Sequence, residues 1–261
     1  MTTLWSAGRY EAVAERIGTI AVHTVEAAER RRPLAGADVV DLACGTGTAA
    51  MAAAARGAQV TGVDLTPALL EIAATKAAAD GRWVRWVSGD AAATGLAAAS
   101  FDVAVSSMGI IFVEPARQVA ELRRLLRPDG VVAFSSWVRA ERNPFYDPMV
   151  AVLGSPAATG FAPDQWGDPL LARQRLSDGF DDVDVEPHQH VWEFDSVSGA
   201  MEFLTHESPV HVDLFGRVEG DLRERLAAAF REALSEHTEA DGTVRFGAPY
   251  VLITARRRHD A

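Results

Sequence analysis

The chain has 261 residues, 48% of them hydrophobic, and a formal net charge of -11 at pH 7. The acidic balance disfavours a nucleic-acid-binding protein, which usually presents a basic surface, and no apolar run approaches the roughly 18 uncharged residues of a membrane span. Since Cys44 is the only cysteine, no internal disulfide can form, and since the first residues show no basic segment followed by an apolar run, we expect a cytoplasmic protein.

The first predicted element is an amphipathic helix between residues 10 and 32. Apolar or small residues recur there at helical spacing, from Val13 through Ile17 to Ala28. A run of arginines closes the segment, where cations complement the negative end of a helix dipole. Pro33 then ends the helix.

Strands and helices alternate along the next hundred residues, with short connections between them. Apolar runs predict strands at residues 38–43, 59–64, 82–87, 101–106 and 131–137, and helical spacing predicts helices at 49–56, 66–81 and 115–127. Alternation of this kind is typical of a parallel sheet covered by helices on both faces. We therefore predict an α/β fold with a doubly wound sheet.

The remaining chain is less regular. Alternating residues predict a strand at 182–194 and a closing strand at 250–255, and helices are predicted at 196–205 and 219–237. Asp168 is predicted to cap a helix that begins at Pro169. Because no clean boundary divides the chain, we predict one domain spanning residues 1–261.

Residues 39–50 are the candidate cofactor site. A buried strand breaks there into a turn with glycines at 45 and 47, and an alanine-rich helix follows. The glycines leave no Cβ between the main chain and a ligand, and the turn presents the unpaired first amides of the helix. This order of strand, glycine turn and helix predicts a site for a nucleotide-type cofactor.

Two cofactors fit this turn. Residues 45–50 match the dinucleotide fingerprint G-x-G-x-x-G/A, and Asp64 follows at about the distance of a ribose-binding acid, so an NAD(P)-dependent oxidoreductase is one hypothesis. Three features favour another cofactor. Asp41 precedes the glycines, Asp90 follows the third predicted strand, and Pro128-Asp129-Gly130 leads into the fifth.

With these features, residues 36–138 resemble the class I S-adenosylmethionine-dependent methyltransferases. Residues 39–47 are similar to the first motif of that family, 60–64 to its second strand with a terminal acid, 89–91 to its adenine-side motif, and 101–106 and 122–137 to its fourth- and fifth-strand motifs. More loosely, residues 5–15 and 250–257 resemble the small-molecule subgroup near the ubiquinone/menaquinone-biosynthesis C-methyltransferases.

The resemblance implies a Rossmann-like methyltransferase fold with a mostly parallel, seven-stranded sheet. Residues 36–138 would form the cofactor-binding core, and residues 244–257 would contain the closing strand. The elements at 1–30 and 139–240 would cover the methyl acceptor.

The resemblance also assigns roles around the nucleoside. The cofactor would be S-adenosyl-L-methionine, and the product S-adenosyl-L-homocysteine. Asp64 would accept hydrogen bonds from both ribose hydroxyls, and Leu65 would pack against the adenine. Asp90 would accept a hydrogen bond from the adenine amino group, while the Ala91 amide donates to a ring nitrogen.

The amino-acid tail of the cofactor would lie against the glycine turn. The Gly45 backbone and Ser106 would face this tail, and Asp41 would orient the turn or reach the tail ammonium through water. Tyr10 would act as a lid on the tail. Ala43 stands where many members have glycine, which limits how closely the cofactor can approach there.

Methyl transfer is an in-line displacement, so the protein mainly has to align donor and acceptor. A general base is needed when the acceptor is a hydroxyl or a carbon acid. We favour His206 because it follows a predicted helix and lies beside an acid; the other candidates are His188, His190 and His211. No clustered Asp/Asn set predicts a metal site.

We predict a methyltransferase that acts on O, C or N of a small, apolar or aromatic metabolite. Aromatic residues of the variable region would imply such an acceptor if they line its pocket: Phe145, Tyr146, Phe161, Trp166, Phe203 and Phe215. Residues 106–109 do not form the Asn/Asp-Pro-Pro-aromatic motif of enzymes that methylate nucleobases, so neither nucleic acid nor membrane is a predicted partner. The alternatives are the NAD(P)-dependent oxidoreductase and a cofactor-binding pseudo-enzyme.

Overall fold

The computed structural model describes residues 4–155 and 160–259, and its central element is a seven-stranded sheet. The strands are β1 (Asp38–Leu42), β2 (Gln59–Asp64), β3 (Val84–Ser88), β4 (Phe101–Ser107), β5 (Leu126–Trp137), β6 (Phe180–Phe194) and β7 (Val244–Arg257). They lie side by side in the order β3-β2-β1-β4-β5-β7-β6.

The first five strands are parallel. β1 pairs with β2 and with β4, β2 with β3, and β4 with β5, whereas β7 pairs antiparallel with β5. This arrangement confirms the predicted doubly wound, mostly parallel seven-stranded sheet. The strand order reverses between β1 and β4, and in such sheets a crevice forms at the carboxyl ends of the strands at this point. The glycine turn follows β1, so the topology brings it to this crevice.

The helices connect and cover the strands. They are α1 (Tyr10–Arg16), α2 (Gly18–Arg31), α3 (Thr48–Ala55), α4 (Pro67–Ala79), α5 (Pro115–Leu125), α6 (Asp147–Leu153), α7 (Pro169–Leu176), α8 (Val197–Glu202), α9 (Pro209–Arg217) and α10 (Gly220–Ser235). Asp168 caps α7 as predicted, since its Oδ1 accepts hydrogen bonds from the amides of Leu170 and Leu171 at 2.8 and 3.1 Å.

Apolar side chains on the two faces of the sheet belong to two separate clusters. Val40 and Ala104 belong to one, together with Trp166. Their strand neighbours Val39 and Val103 belong to the other, with residues of α2 and α3. Successive residues of a strand point to opposite faces, so both faces of the sheet are buried, which explains the near-continuous apolar runs in the sequence.

Several elements differ from the prediction. The first predicted helix is two helices, because Ile17, with φ -99° and ψ 10°, interrupts it before Gly18. β5 begins at Leu126 rather than at 131: Leu126 pairs with Phe101 and Val131 with Val103, so the intervening turn residues form a bulge in the strand. The short helices α6 and α9 were not predicted, because neither presents a long apolar repeat.

The described residues divide into two compact units. The larger unit comprises residues 17–139, 161–188 and 250–259, and holds β1 to β5 with the glycine turn. The smaller unit comprises residues 4–16, 140–155, 160 and 189–249. Its aromatic core is centred on Phe145, which packs against Trp192, Phe203 and Phe246 at ring-centroid distances of 5.2, 5.9 and 4.9 Å. The single-domain organisation stays a prediction.

Candidate functional site

The glycine turn between β1 and α3 depends on glycine at position 47. Gly47 precedes the first residue of α3 with φ 82°, a backbone conformation that other residues rarely adopt. A Cβ on Gly47 would lie 2.5 Å from the indole ring of Trp86, which comes from β3. The turn therefore requires glycine for both its conformation and its packing.

Asp64, the last residue of β2, fixes the turn from a neighbouring strand. Its Oδ2 accepts a hydrogen bond from the amide of Gly45 and its Oδ1 one from the amide of Thr66, both at 2.8 Å. The residue is only 7% exposed. A carboxylate offers about four acceptor positions, so these two bonds leave room for ribose hydroxyls. That role for Asp64 stays a prediction.

Asp41 lies beneath the turn and is only 1% exposed. Its Oδ2 accepts a hydrogen bond from the amide of Ala50 at 2.9 Å, which ties the first turn of α3 to β1. Burial raises the pKa of this carboxyl to about 8, and the nearby charge of Asp64 acts in the same direction. At neutral pH the side chain is therefore mostly protonated.

Two buried polar atoms of this turn lack a hydrogen-bond partner. They are Oδ1 of Asp41 and Oγ1 of Thr46. Buried polar groups are nearly always hydrogen-bonded, so two orphan atoms in one turn indicate a place where a polar ligand binds. The sequence reasoning missed Thr46, because a threonine between two glycines carries no signal of its own.

Ala43 and Gly109 form the closest backbone approach at the end of β1. Ala43 has φ 52°, in the left-handed region that costs a non-glycine residue roughly 1–2 kcal/mol. A Cβ on Gly109 would lie 2.6 Å from the carbonyl oxygen of Ala43 and 2.9 Å from Oγ of Ser106. The ends of β1 and β4 are thus packed tightly, and glycine is required at 109.

Ser106 is buried at the end of β4 and braces the same region. Its hydroxyl donates to the carbonyl of Leu42 at 2.7 Å and accepts from the amide of Ile110 at 3.0 Å. The structure therefore gives Ser106 a bracing role between β1 and the segment after β4. Its predicted contact with the cofactor tail stays a prediction.

The predicted adenine side is built from Leu65, Asp90 and Ala91. Leu65 is 60% exposed directly after Asp64, which is where a flat apolar ligand would cover it. Asp90 accepts from the amide of Ala92 at 2.9 Å and forms an ion pair with Arg117 at 3.0 Å. Ala91 is buried. The adenine contacts themselves stay predictions.

Strand pairing and hydrogen bonds bring five predicted residues to one edge of the sheet: Asp41, Ala43, Gly45, Asp64 and Ser106. Two others, Tyr10 and His206, belong to the smaller unit. Tyr10 is half-buried there and packs edge-on against Trp5, at 6.1 Å between ring centroids. Its role as a lid stays a prediction.

His206 lies in a single π-helical turn, Phe203–Glu207, and is exposed. Thr205 Oγ1 donates its proton to the carbonyl of Met201 at 2.8 Å. The ring Nδ1 of His206, 2.9 Å from the same oxygen, must therefore be the donor in that contact. This assignment leaves Nε2 of the neutral ring with a free lone pair, as a general base requires, and π-helical turns occur often at functional sites.

Two of the other candidate histidines, His211 and His190, are less suited to act as bases. His211 is fully buried: its Nε2 donates to the carbonyl of Phe145 at 2.9 Å, so its Nδ1 accepts from Ser208 Oγ at 2.7 Å, and burial lowers its pKa to about 4. Burial also lowers the pKa of His190. His188 lies 3.1 Å from a carboxylate oxygen of Glu186.

A histidine that sequence reasoning missed, His23, lies in a ring cluster of the larger unit. Its Nδ1 is 2.8 Å from the hydroxyl of Tyr250, and His188 stacks on the same tyrosine at 5.2 Å between centroids. Tyr250 pairs with Trp137 at the carboxyl end of β5. His23 lies within the predicted first helix, where a lone histidine gives no signal.

Within residues 4–155 and 160–259, no cluster of three or more His, Cys, Asp or Glu side chains could hold a metal ion. Across the same residues, no helix has both the length and the apolar character needed to cross a membrane.

Comparisons with known proteins agree with this geometry. Residues 40–134 match the methyltransferase domain family. The chain is 27% identical over 264 residues to the uncharacterized protein Rv1405c of Mycobacterium tuberculosis, covering 98% of this chain and 93% of that protein. It is 40% identical over 99 residues to the demethylmenaquinone methyltransferase of Clavibacter sepedonicus, covering 38% of this chain and 40% of that enzyme.

A solved structure shares the fold. The phosphoethanolamine N-methyltransferase 2 of Haemonchus contortus, in complex with phosphomonomethylethanolamine and S-adenosylhomocysteine, superposes with a TM-score of 0.56 at 19% identity. The match covers 91% of this chain and 53% of that enzyme. The sheet order and the matched domain lead to one conclusion: residues 40–134 belong to the methyltransferase domain family.

Proposed function

We propose that the glycine turn of this chain binds S-adenosyl-L-methionine and that the enzyme transfers the methyl group to a small-molecule acceptor. The observation that carries the proposal is the buried carboxyl of Asp41, whose Oδ1 has no hydrogen-bond partner. Bound S-adenosyl-L-methionine supplies a methyl group on a sulfonium, which is activated for in-line displacement. The residues of the turn hold and orient it.

The charges at the turn distinguish this cofactor from a dinucleotide. Asp64 accepts from the Gly45 amide and the buried Asp41 accepts from the Ala50 amide, so two acids lie beside the turn. Asp41 is mostly protonated at neutral pH, and a cationic ammonium would favour its ionised form. A pyrophosphate would bring about two negative charges toward the Asp64 carboxylate, at a Coulomb cost that grows in a buried site. The oxidoreductase alternative is therefore not favoured.

Asp41, Thr46 and Asp64 would hold the cofactor. Asp41 Oδ1 and Thr46 Oγ1 are the buried atoms that need a polar partner, and the amino-acid tail provides donors and acceptors for both. Asp64 keeps acceptor positions for the ribose, and Leu65 offers an exposed apolar surface to the adenine.

The acceptor is proposed to be a small molecule rather than a nucleic acid. The net charge of -11 opposes a polyanionic substrate. A matched enzyme named for demethylmenaquinone and one crystallised with phosphomonomethylethanolamine support a small metabolite. Phe203, Phe215 and Trp166 are buried, as core residues are, and give no evidence of an acceptor pocket. An apolar or aromatic acceptor therefore stays a prediction.

His206 is proposed as the general base for an acceptor that must lose a proton. Its Nε2 carries the free lone pair, and the adjacent Thr205 fixes the tautomer.

Calorimetry in two buffers of different ionisation enthalpy tests the role of Asp41. The wild-type carboxyl has a pKa of about 8 and is mostly protonated at pH 7. If it ionises against the tail ammonium, binding of S-adenosyl-L-homocysteine should release up to about 0.9 protons. Asp41→Asn should release none and bind at least tenfold more weakly. Equal proton release by the two proteins would remove Asp41 from the site.

A further inference from the structure

A pocket of the larger unit is rich in arginine. It has a volume of about 670 Å³ and lies between α5, α7 and the end of β7. Four guanidinium groups and one carboxylate line it, those of Arg123, Arg124, Arg175, Arg257 and Asp178. In a chain with a net charge of -11, such a concentration of cations forms a local site of the opposite sign.

This pocket lies at the opposite edge of the sheet from the glycine turn. Arg257 is the last residue of β7, and its Nη1 donates to the carbonyl of Leu126, the first residue of β5, at 2.6 Å. β5 runs parallel to β4, and β4 runs parallel to β1. Leu126 is therefore at the amino-terminal edge of the sheet, whereas the glycine turn follows the carboxyl end of β1.

The carboxylates near the pocket neutralise the positive charges of its arginines to different extents. Glu121 binds Arg124 through two hydrogen bonds of 2.7 Å, one to each carboxylate oxygen. Asp178 is 91% exposed and lies 3.7 Å from Nη1 of Arg123, which is a weak ion pair. Arg175 instead donates to the neutral amide oxygen of Gln165 at 2.5 Å.

The guanidinium group of Arg175 is held in place but does not use all of its hydrogen-bond donors. Its guanidinium lies 4.9 Å from the ring centroid of the buried Trp166, a cation–π contact that orients the group. Its Nη1 is buried without a hydrogen-bond partner. Burial lowers the pKa of Arg175, and the charge of Glu114 only partly opposes this effect. An anion in the pocket would supply the countercharge that Glu114 provides only in part.

We propose that this pocket binds a small anion that carries a phosphate or carboxylate group, at a site separate from the glycine turn. The planar forks of the arginines match the paired oxygens of both groups. Ala116, Val119 and Ala120 form an apolar wall from α5, which accommodates the non-polar part of such a ligand. The volume lies within the range of small-molecule sites.

Titration calorimetry of the full chain at constant ionic strength tests this proposal, with pyrophosphate and citrate as separate probes. We expect saturable binding of at least one probe, and the probe that binds more tightly identifies the phosphate or the carboxylate as the recognised group. Arg175→Gln should weaken binding at least tenfold. Its matched control is Arg173→Gln on the same helix, which changes an exposed arginine outside the pocket and should alter affinity by less than about twofold.

A second variant keeps the test decisive if Arg175→Gln folds poorly. Arg123 is half-exposed, so Arg123→Gln should keep the fold and still weaken the probe at least threefold. Saturating probe should leave the affinity for S-adenosyl-L-homocysteine unchanged. The proposal is overturned if neither probe binds, if Arg173→Gln loses as much affinity as the pocket variants, or if the probe competes with S-adenosyl-L-homocysteine.

Discussion

The carboxylate of Asp64 accepts a hydrogen bond from the backbone amide of Gly45 at 2.8 Å, across 19 residues of sequence. The bond joins the end of β2 to the turn that follows β1, so the conformation of the turn depends on a side chain of its neighbouring strand. The other oxygen of Asp64 holds the amide of Thr66, at the start of α4. One buried acid therefore fixes two helix entries beside the candidate cofactor site.

Replacing this acid should affect both stability and binding. Asp64→Ala leaves the Gly45 and Thr66 amides unpaired, which should lower the free energy of unfolding by about 2–6 kcal/mol, from roughly 1–3 kcal/mol for each buried unpaired group. Affinity for S-adenosyl-L-homocysteine should fall at least tenfold. Urea denaturation and calorimetry measure the two effects. Asp80→Ala, an exposed aspartate after α4, should change neither; unchanged affinity in Asp64→Ala would contradict its place in the site.

Asp41 should make stability depend on pH. Its folded-state pKa of about 8 lies above the unfolded value of about 3.9, so the folded chain binds the extra proton between these values. This contribution to stability is therefore present below about pH 4 and is lost as the pH rises to about 8. Asp41→Asn removes the titrating group but keeps an oxygen for the Ala50 amide.

Urea denaturation of both proteins at pH 5 and pH 8 tests this dependence. The Asp41→Asn protein should gain stability relative to the wild type as the pH rises from 5 to 8. If the difference in free energy of unfolding between the two proteins stays constant with pH, the folded-state pKa of Asp41 is not raised.

Gly109 should tolerate no side chain. The Cβ of Gly109→Ala would lie 2.6 Å from the Ala43 carbonyl oxygen, so backbone must shift, at a cost of roughly 1–3 kcal/mol. Gly216→Ala is the matched control, since nothing lies within 4 Å of a Cβ at that position in α9. The control should gain about 0.5–1 kcal/mol from helix propensity. Thermal denaturation that ranks the two variants in the opposite order would refute the packing between Ala43 and Gly109.

Substitutions of His206 and His211, both in the smaller unit, should separate activity from stability. His206→Ala should lower kcat about 10²-fold or more for an acceptor that must lose a proton, with little change in stability or cofactor affinity. His211→Ala should mainly destabilise the fold, because it removes two buried hydrogen bonds, those with Ser208 and Phe145. Normal turnover by His206→Ala on such an acceptor would exclude His206 as the base.

The sheet could be predicted because its sequence signals are local. Each of β1 to β5 is an apolar run with a turn residue or an acid at its end, and the alternation with helices indicates the parallel pairing. The bulge between Leu126 and Val131 could not be predicted, because it depends on pairing with Phe101 and Val103 in another strand. Turn residues such as Pro128 ordinarily end a strand.

The site could be predicted only where its residues lie at, or directly after, the carboxyl end of a strand. Asp41, Gly45 and Asp64 carry that signal, and hydrogen bonds and strand pairing bring them together. Thr46 and Gly109 do not, because their importance comes from an orphan buried hydroxyl and from a backbone contact. The arginine pocket was not predicted either, because the fold brings its residues together from α5, α7 and β7.

The central claim is that the glycine turn binds S-adenosyl-L-methionine rather than a nicotinamide dinucleotide. Calorimetry of the wild-type chain with S-adenosyl-L-homocysteine, and separately with NADH, tests it most directly. We expect saturable one-to-one binding of S-adenosyl-L-homocysteine and none of NADH at the same concentrations. Binding of NADH alone would contradict it.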